Sequence, residues 1–193
     1  MPARNKQLFL APLLFWLIGH KLAALVRANT KEEDGQPCLI GIPTAGTTLA
    51  QAASMASYQR RVKSPQNAEE PLISFRVMRE ALKTAHGTHS QWVDGDYDVR
   101  QTYWLVDNAV TSGQSIIQGR KRLHESYPAK DTPCLILVDR QQGGVERLQK
   151  EGFSRVVVAY KLLELAETFE GLGYWPKGSA KKVEEEIQAH QLA

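Results

Sequence analysis

Residues 102–115 read TYWLVDNAVTSGQS, and their pattern sets the fold. The first five suit a buried strand, because β-branched and aromatic side chains fill them without a turn residue. An acid and an amide, Asp107 and Asn108, follow where the strand is expected to leave the sheet. A small polar loop of Thr111, Ser112, Gly113, Gln114 and Ser115 then leads into a helix expected over 114–126. Ile116, Ile117 and Leu123 give that helix an inward face.

Short apolar runs and helical stretches alternate on both sides of this segment. Strands are expected at 38–42, 72–78, 134–138 and 155–160, and helices at 8–28, 46–58 and 144–151. Another helix follows the last strand and ends at Gly171, and a polar one covers 179–190. Residues 79–101 are polar, contain Gly87 and Gly95, and read as a long mobile loop. Such alternation means an α/β fold with a mostly parallel central sheet flanked by helices. Sheets of this kind bind ligands at the carboxyl ends of their strands. Three loops become suspects: 43–48, 107–115 and 139–144.

The chain has 193 residues and a net charge of +3. That length supports one good core, so one domain is expected: an N-terminal helix within 1–30, a core over 38–170 and a helical tail over 171–193. The weak positive charge gives no sign of a nucleic-acid binder. Residues 8–18, LFLAPLLFWLI, are too short to span a bilayer as a helix. Leu14, Trp16 and Ile18 keep helical spacing with Leu22, Leu25 and Val26, which favours a helix packed on the domain. A targeting segment and an interfacial membrane helix are the alternatives. Cys38 and Cys134 each open an apolar run and read as buried thiols in neighbouring strands.

The loop chemistry points to a ligand. A carboxylate and an amide at Asp107 and Asn108 can bond adjacent hydroxyls of a sugar. Backbone N–H groups, the positive end of a helix and the hydroxyls of Thr111, Ser112 and Ser115 suit a phosphate. Together they describe a site for ribose 5-phosphate. The plainer alternative is an N-cap turn after a strand-end turn residue. Neither GxxxxGK[ST] nor GxGxxG occurs, so P-loop and dinucleotide folds are disfavoured.

Residues 103–116, YWLVDNAVTSGQSI, resemble the phosphoribosyl-diphosphate (PRPP) motif of type I phosphoribosyltransferases. Residues 39–50, LIGIPTAGTTLA, are similar to the pyrophosphate loop of the orotate phosphoribosyltransferases within that family. Residues 135–153, LILVDRQQGGVERLQKEGF, resemble the strand after the PRPP helix, and 78–95, MREALKTAHGTHSQWVDG, resemble the mobile catalytic loop. The four occur in the family's order.

The resemblance implies transfer of phosphoribose from PRPP to orotate, giving orotidine 5′-phosphate and pyrophosphate, with Mg²⁺ held through PRPP near Asp107. It implies that Asp107 and Asn108 read the ribose and that Thr111, Ser112, Gly113, Gln114 and Ser115 cradle the 5-phosphate. Thr44, Ala45 and Gly46 would offer backbone N–H groups to pyrophosphate, and Arg140 would pair with the orotate carboxylate. Arg79, Lys83 and His86 would neutralise the leaving group. A cytoplasmic homodimer is also implied, with no nucleic-acid or membrane partner.

The pattern departs from the family in three places. Asn108 stands where a second acid is usual. Lys83 lies three residues before His86, where two is typical. The family's segment before the first long helix has no match, so a reduced N-terminal hood is expected. These departures keep two other functions open: a non-catalytic PRPP- or nucleotide-binding regulator, and a transferase for a different base.

Overall fold

The computed structural model describes residues 12–64, 66, 69–82, 91–129 and 131–191. Helix α1 (Pro12–Ala28) leads through a 3₁₀ turn (Glu32–Asp34) into strand β1 (Gln36–Gly41). Then come α2 (Ala45–Lys63), β2 (Ser74–Val77), β3 (Gln101–Val110), α3 (Gln114–Ser126), β4 (Cys134–Asp139) and α4 (Gly144–Lys150). Strand β5 (Val156–Lys161), α5 (Leu162–Gly171) and α6 (Ser179–Ala189) complete the order. The five strands form one sheet in the order β2-β1-β3-β4-β5, and every pairing between them is parallel.

Both faces of this sheet are covered, which is why its central strands read as unbroken apolar runs rather than alternating ones. Alternate residues point to opposite faces. Cys38, Ile40, Tyr103, Leu105, Cys134 and Ile136 pack with Ile116 and Leu123 of α3 on one side. Leu39, Trp104, Val106, Leu135 and Leu137 pack with Leu22 of α1 and Leu49 and Ala53 of α2 on the other. Trp104 is wholly buried there, a core residue.

Helix α1 packs across α2 at a close crossing. A Cβ on Gly19 would lie 2.6 Å from the carbonyl oxygen of Ala52, so only glycine allows the approach. The buried alanines of α2 serve the same contact. Gly19, Leu22, Ala23 and Val26 form the buried face of α1, whereas Trp16, expected on that face, is exposed and donates its indole N–H to Gln59. Among the described residues no helix is long and apolar enough to cross a membrane.

One expectation about the cysteines needs correcting. Cys38 and Cys134 are free and buried, but their strands are β1 and β4, which β3 separates. Burial pushes the Cys134 thiol up to about 12, so it stays protonated and unreactive at neutral pH.

At the amino ends of the strands, Arg155 ties three segments together. It donates to the Asn29 carbonyl (3.0 Å), to the Asp34 carboxylate and to Asp131 (3.0 Å). Burial works to raise the pKa of Asp34, but the Arg155 guanidinium and the Lys31 N–H prevail and hold it below the ordinary value. Its stabilising contribution is therefore complete at neutral pH and is lost as pH falls through the folded-state pKa. Arg155→Met is expected to cost about 2–3 kcal/mol, because it strands a half-buried carboxylate. Urea unfolding at pH 7 checks this, and a midpoint equal to wild type would contradict it.

Candidate functional site

Strand β1 pairs with β3 only as far as Gly41 and Val106, whereas β4 continues to pair with β3 through Ala109 and Val110. Beyond Val106, β3 therefore has one partner and one open edge. This corrects the expected strand end: Asp107 and Asn108 lie within β3, which runs four residues past Val106, to Val110. The sequence suggested an earlier stop because polar side chains begin there. They are polar because the open edge faces the loops that follow β1 and β2.

Asp107 is 7% exposed. Its carboxylate accepts the Ser115 hydroxyl at 2.8 Å and the Asn108 backbone N–H at 2.8 Å. Burial raises its pKa against these two bonds. The carboxylate thus holds the first turn of α3 against the end of β3. Gly113 makes the turn with φ of 73° and precedes α3 without a side-chain cap. A Cβ on Gly113 would also lie 3.0 Å from Leu148, so the turn needs glycine for both conformation and space. Thr111, Gln114 and Ser115 are exposed around these uncapped N–H groups, and Ser112 is half-buried.

The loop after β1 lies across the open edge. The peptide bond between Pro43 and Thr44 is cis, and α2 starts at Ala45. Among the three residues expected to offer N–H groups here, Gly46 is a correction. Its N–H donates to the Ile42 carbonyl at 2.9 Å, so this glycine serves packing. Thr44 and Ala45 stand where this loop enters α2. A cleft of about 520 Å³ opens beside them, lined by Thr44, Thr47, Thr48, Arg79 and Glu80 among others. The Thr44 hydroxyl donates to Glu80 at 3.4 Å.

Arg79 reaches this cleft already paired: its Nε donates to Asp94 at 2.8 Å, and its Nη2 to the same oxygen. Met78 bridges to Val93, and the Arg79 N–H donates to the Trp92 carbonyl at 2.8 Å. The two described arms of the expected loop thus form an antiparallel stem. Trp92 fixes the stem to α3: its backbone N–H donates to Ser126 (2.9 Å), its indole N–H to Glu125 (2.5 Å), and Arg122 stacks 4.4 Å from its ring centre. Lys83 and His86 lie outside the described residues.

After β4, the Arg140 N–H donates to the Val110 carbonyl, and Arg140 Nη1 donates to the Thr111 hydroxyl at 3.3 Å. The guanidinium therefore stands beside the 111–115 loop. On its other side is a crevice of about 270 Å³ shared with Gln142, Leu162 and residues of α6. Sequence reasoning expected a helix over 179–190 but did not place it, Glu80 or Gln142 beside these loops. Nothing local marks them, since only packing brings α6 back to β4.

Among the described residues no three His, Cys, Asp or Glu side chains form a metal-binding group. Oxygen donors at the site include Asp107, Glu80 and the hydroxyls of Thr44, Thr111 and Ser115. Such a set fits Mg²⁺ that a phosphate ligand brings with it, and not a resident cage. Another cleft of about 520 Å³ lies at the amino ends of the strands, beside Arg27, Lys31 and Glu70. Arg27 and Arg60 both pair with Glu70 there, and parallel sheets place ligands at the opposite end.

No family model matches the chain. An orotate phosphoribosyltransferase of Pyrococcus furiosus is 28% identical over 153 residues, which is 79% of this chain and 72% of that one. Another, of Methanocella arvoryzae, is 28% identical over 165 residues, 86% of this chain and 77% of that one. The crystal structure of Mycobacterium tuberculosis orotate phosphoribosyltransferase with PRPP is similar in fold, with a TM-score of 0.60 and 19% identity. The match covers 83% of this chain and 80% of that one. These relatives are named as enzymes of the phosphoribosyltransferase class, a glycosyltransferase type.

Proposed function

We propose that this chain, an orotate phosphoribosyltransferase-like protein with the type I phosphoribosyltransferase fold, transfers phosphoribose from PRPP to orotate. The observation that carries this reading is convergence. The loop at Thr44, the cradle pinned by Asp107, and Arg140 on Thr111 meet where β1, β3 and β4 end. The bond from ribose C1 to pyrophosphate breaks, a bond from C1 to a ring nitrogen forms, and that nitrogen's proton is lost.

Each group then has a task. The N–H groups around Gly113 and the hydroxyls of Thr111, Ser112 and Ser115 hold the 5-phosphate, with Gln114 at the rim. Asp107 keeps spare lone pairs for a ribose hydroxyl, and Asn108 offers its amide beside it. Thr44 and Ala45 face the pyrophosphate. Arg140 pairs with the carboxylate of the base. Lys83 and His86 are assigned to the departing pyrophosphate, and Arg79 to the stem that carries them. Bound Mg²⁺ supplies charge neutralisation on the diphosphate. Use of Mg²⁺ and a homodimeric assembly belong to the same proposal. Catalysis of this kind rests on positioning and electrostatic stabilisation.

A second reading has specific support. Asn108 removes a carboxylate from the sugar site, Arg79 is paired with Asp94, and Glu80 adds negative charge to the cleft. Those features suit a PRPP- or nucleotide-binding regulator. One assay separates the two: loss of orotate absorbance on mixing protein with PRPP, Mg²⁺ and orotate. Turnover is expected, reduced roughly 100-fold or more in Lys83→Ala, which removes a group acting on the leaving pyrophosphate. PRPP binding by calorimetry without turnover would favour the regulator.

A further inference from the structure

Helix α4 packs directly against the 111–115 loop through three residues. Gly144, Arg147 and Leu148 stand three and four positions apart, which puts them on one face of the helix. A Cβ on Gly144 would lie 2.5 Å from the Thr111 carbonyl oxygen, so the helix approaches this closely only with glycine there. Leu148 is wholly buried and fills the space beside Gly113. Between them, Arg147 Nη1 donates to the Ser112 carbonyl at 3.2 Å, and its Nη2 donates to the side-chain oxygen of Gln114 at 2.8 Å.

These two bonds decide what the loop can offer a ligand. A guanidinium only donates, so Gln114 turns its oxygen toward α4 and its NH2 away, with two donors left for an anion. The bond to the Ser112 carbonyl polarises the peptide that ends in the Gly113 N–H, which makes that N–H a stronger donor. Arg147 also brings charge. Among the described residues no carboxylate pairs with it. Asp107 places a buried carboxylate against the same loop through Ser115, and Arg140 is assigned to the base. A phosphate in this loop therefore has Arg147 to offset that carboxylate.

We propose that Arg147 is a positioning residue for the 5-phosphate. It acts through Ser112 and Gln114, fixing the loop's donors from the α4 side and supplying positive charge behind them. The inference rests on the transferase reading above, which puts the 5-phosphate in this loop.

The test is calorimetric titration of the full chain with ribose 5-phosphate at low and at physiological salt. Arg147→Met removes both bonds and the charge, and is expected to weaken binding about tenfold at low salt. The loss should be smaller at physiological salt, because a half-exposed charge is screened. Arg147→Lys keeps the charge and can make one of the two bonds, so it should lose only about threefold. Arg120→Met is the control for packing. Arg120 ties α3 to the end of α4 through the Glu151 carbonyl (2.7 Å) and stacks 4.0 Å from the ring centre of Phe153, without bonding the loop. Its loss should leave ribose 5-phosphate affinity unchanged.

Equal affinity of wild type and Arg147→Met would overturn the inference. An equal loss in Arg120→Met, or a loss in Arg147→Lys as large as in Arg147→Met, would place the effect in helix packing and also overturn it. Wild type that binds no ribose 5-phosphate would overturn both this inference and the reading of the loop as a phosphate site. Binding that depends on Arg147 without turnover of orotate would leave the inference standing and remove only the transferase.

Discussion

Gly46→Ala is expected to lower stability by about 3 kcal/mol or more and to abolish PRPP binding with it. The new Cβ would lie 2.1 Å from the carbonyl oxygen of Val106 and 3.1 Å from its carbon. Both are backbone atoms of the central strand, and the same oxygen already accepts the Ile42 N–H at 2.8 Å. No rotamer change relieves such a clash. The start of α2 has to move away from β3, which displaces Thr44, Thr47 and Thr48 at the cleft and weakens the bond from the Gly46 N–H to Ile42. For a chain of this size, about 3 kcal/mol lowers the thermal midpoint by roughly 6–12 °C. Scanning calorimetry with a PRPP titration checks both parts. A midpoint within a degree of wild type would show that the crossing has slack.

Asp107→Asn is expected to move stability and function in opposite directions. The carboxylate is buried, and its folded-state pKa is raised above the ordinary value. Folding therefore favours its protonated form. Stability falls as pH rises from the unfolded pKa through the folded one, and the deficit persists at neutral pH. An amide carries no such penalty, and its oxygen can still accept the Ser115 hydroxyl. The variant should melt higher than wild type at pH 7, and the difference should shrink toward the acid end of that window. Affinity for PRPP should fall about 10- to 100-fold, the worth of a charged hydrogen bond to the ribose. Lower stability at pH 7 would mean that the two bonds to Asp107 outweigh its burial. Unchanged affinity would remove Asp107 from the sugar site.

Periodicity carried much of the fold. The helix at 114–126 is α3 to the residue, because Ile116, Ile117 and Leu123 alternate with polar positions at helical spacing. Strands β1, β4 and β5 lie within two residues of their apolar runs. The boundary of β3 was illegible, because the acid and amide at Asp107 and Asn108 look like a strand end. Residues 107–110 are held as strand by pairing with β4, a contact between segments distant in sequence. The same limit applied to Trp16, whose spacing suited the buried face of α1 although α2 covers that helix from another side.

The candidate site divides along the same line. By itself the sequence determined the parallel α/β class and the three loops at the carboxyl end of its sheet, because local patterning and residue type decide these. Only the tertiary structure decided that Gly46 spends its N–H on Ile42, that Arg79 is held by Asp94, and that Gln142 meets α6 across a crevice. Each of those depends on which segments pack together. Burial and hydrogen-bond satisfaction settle that over the whole chain at once, whereas spacing records only what neighbours in sequence can do.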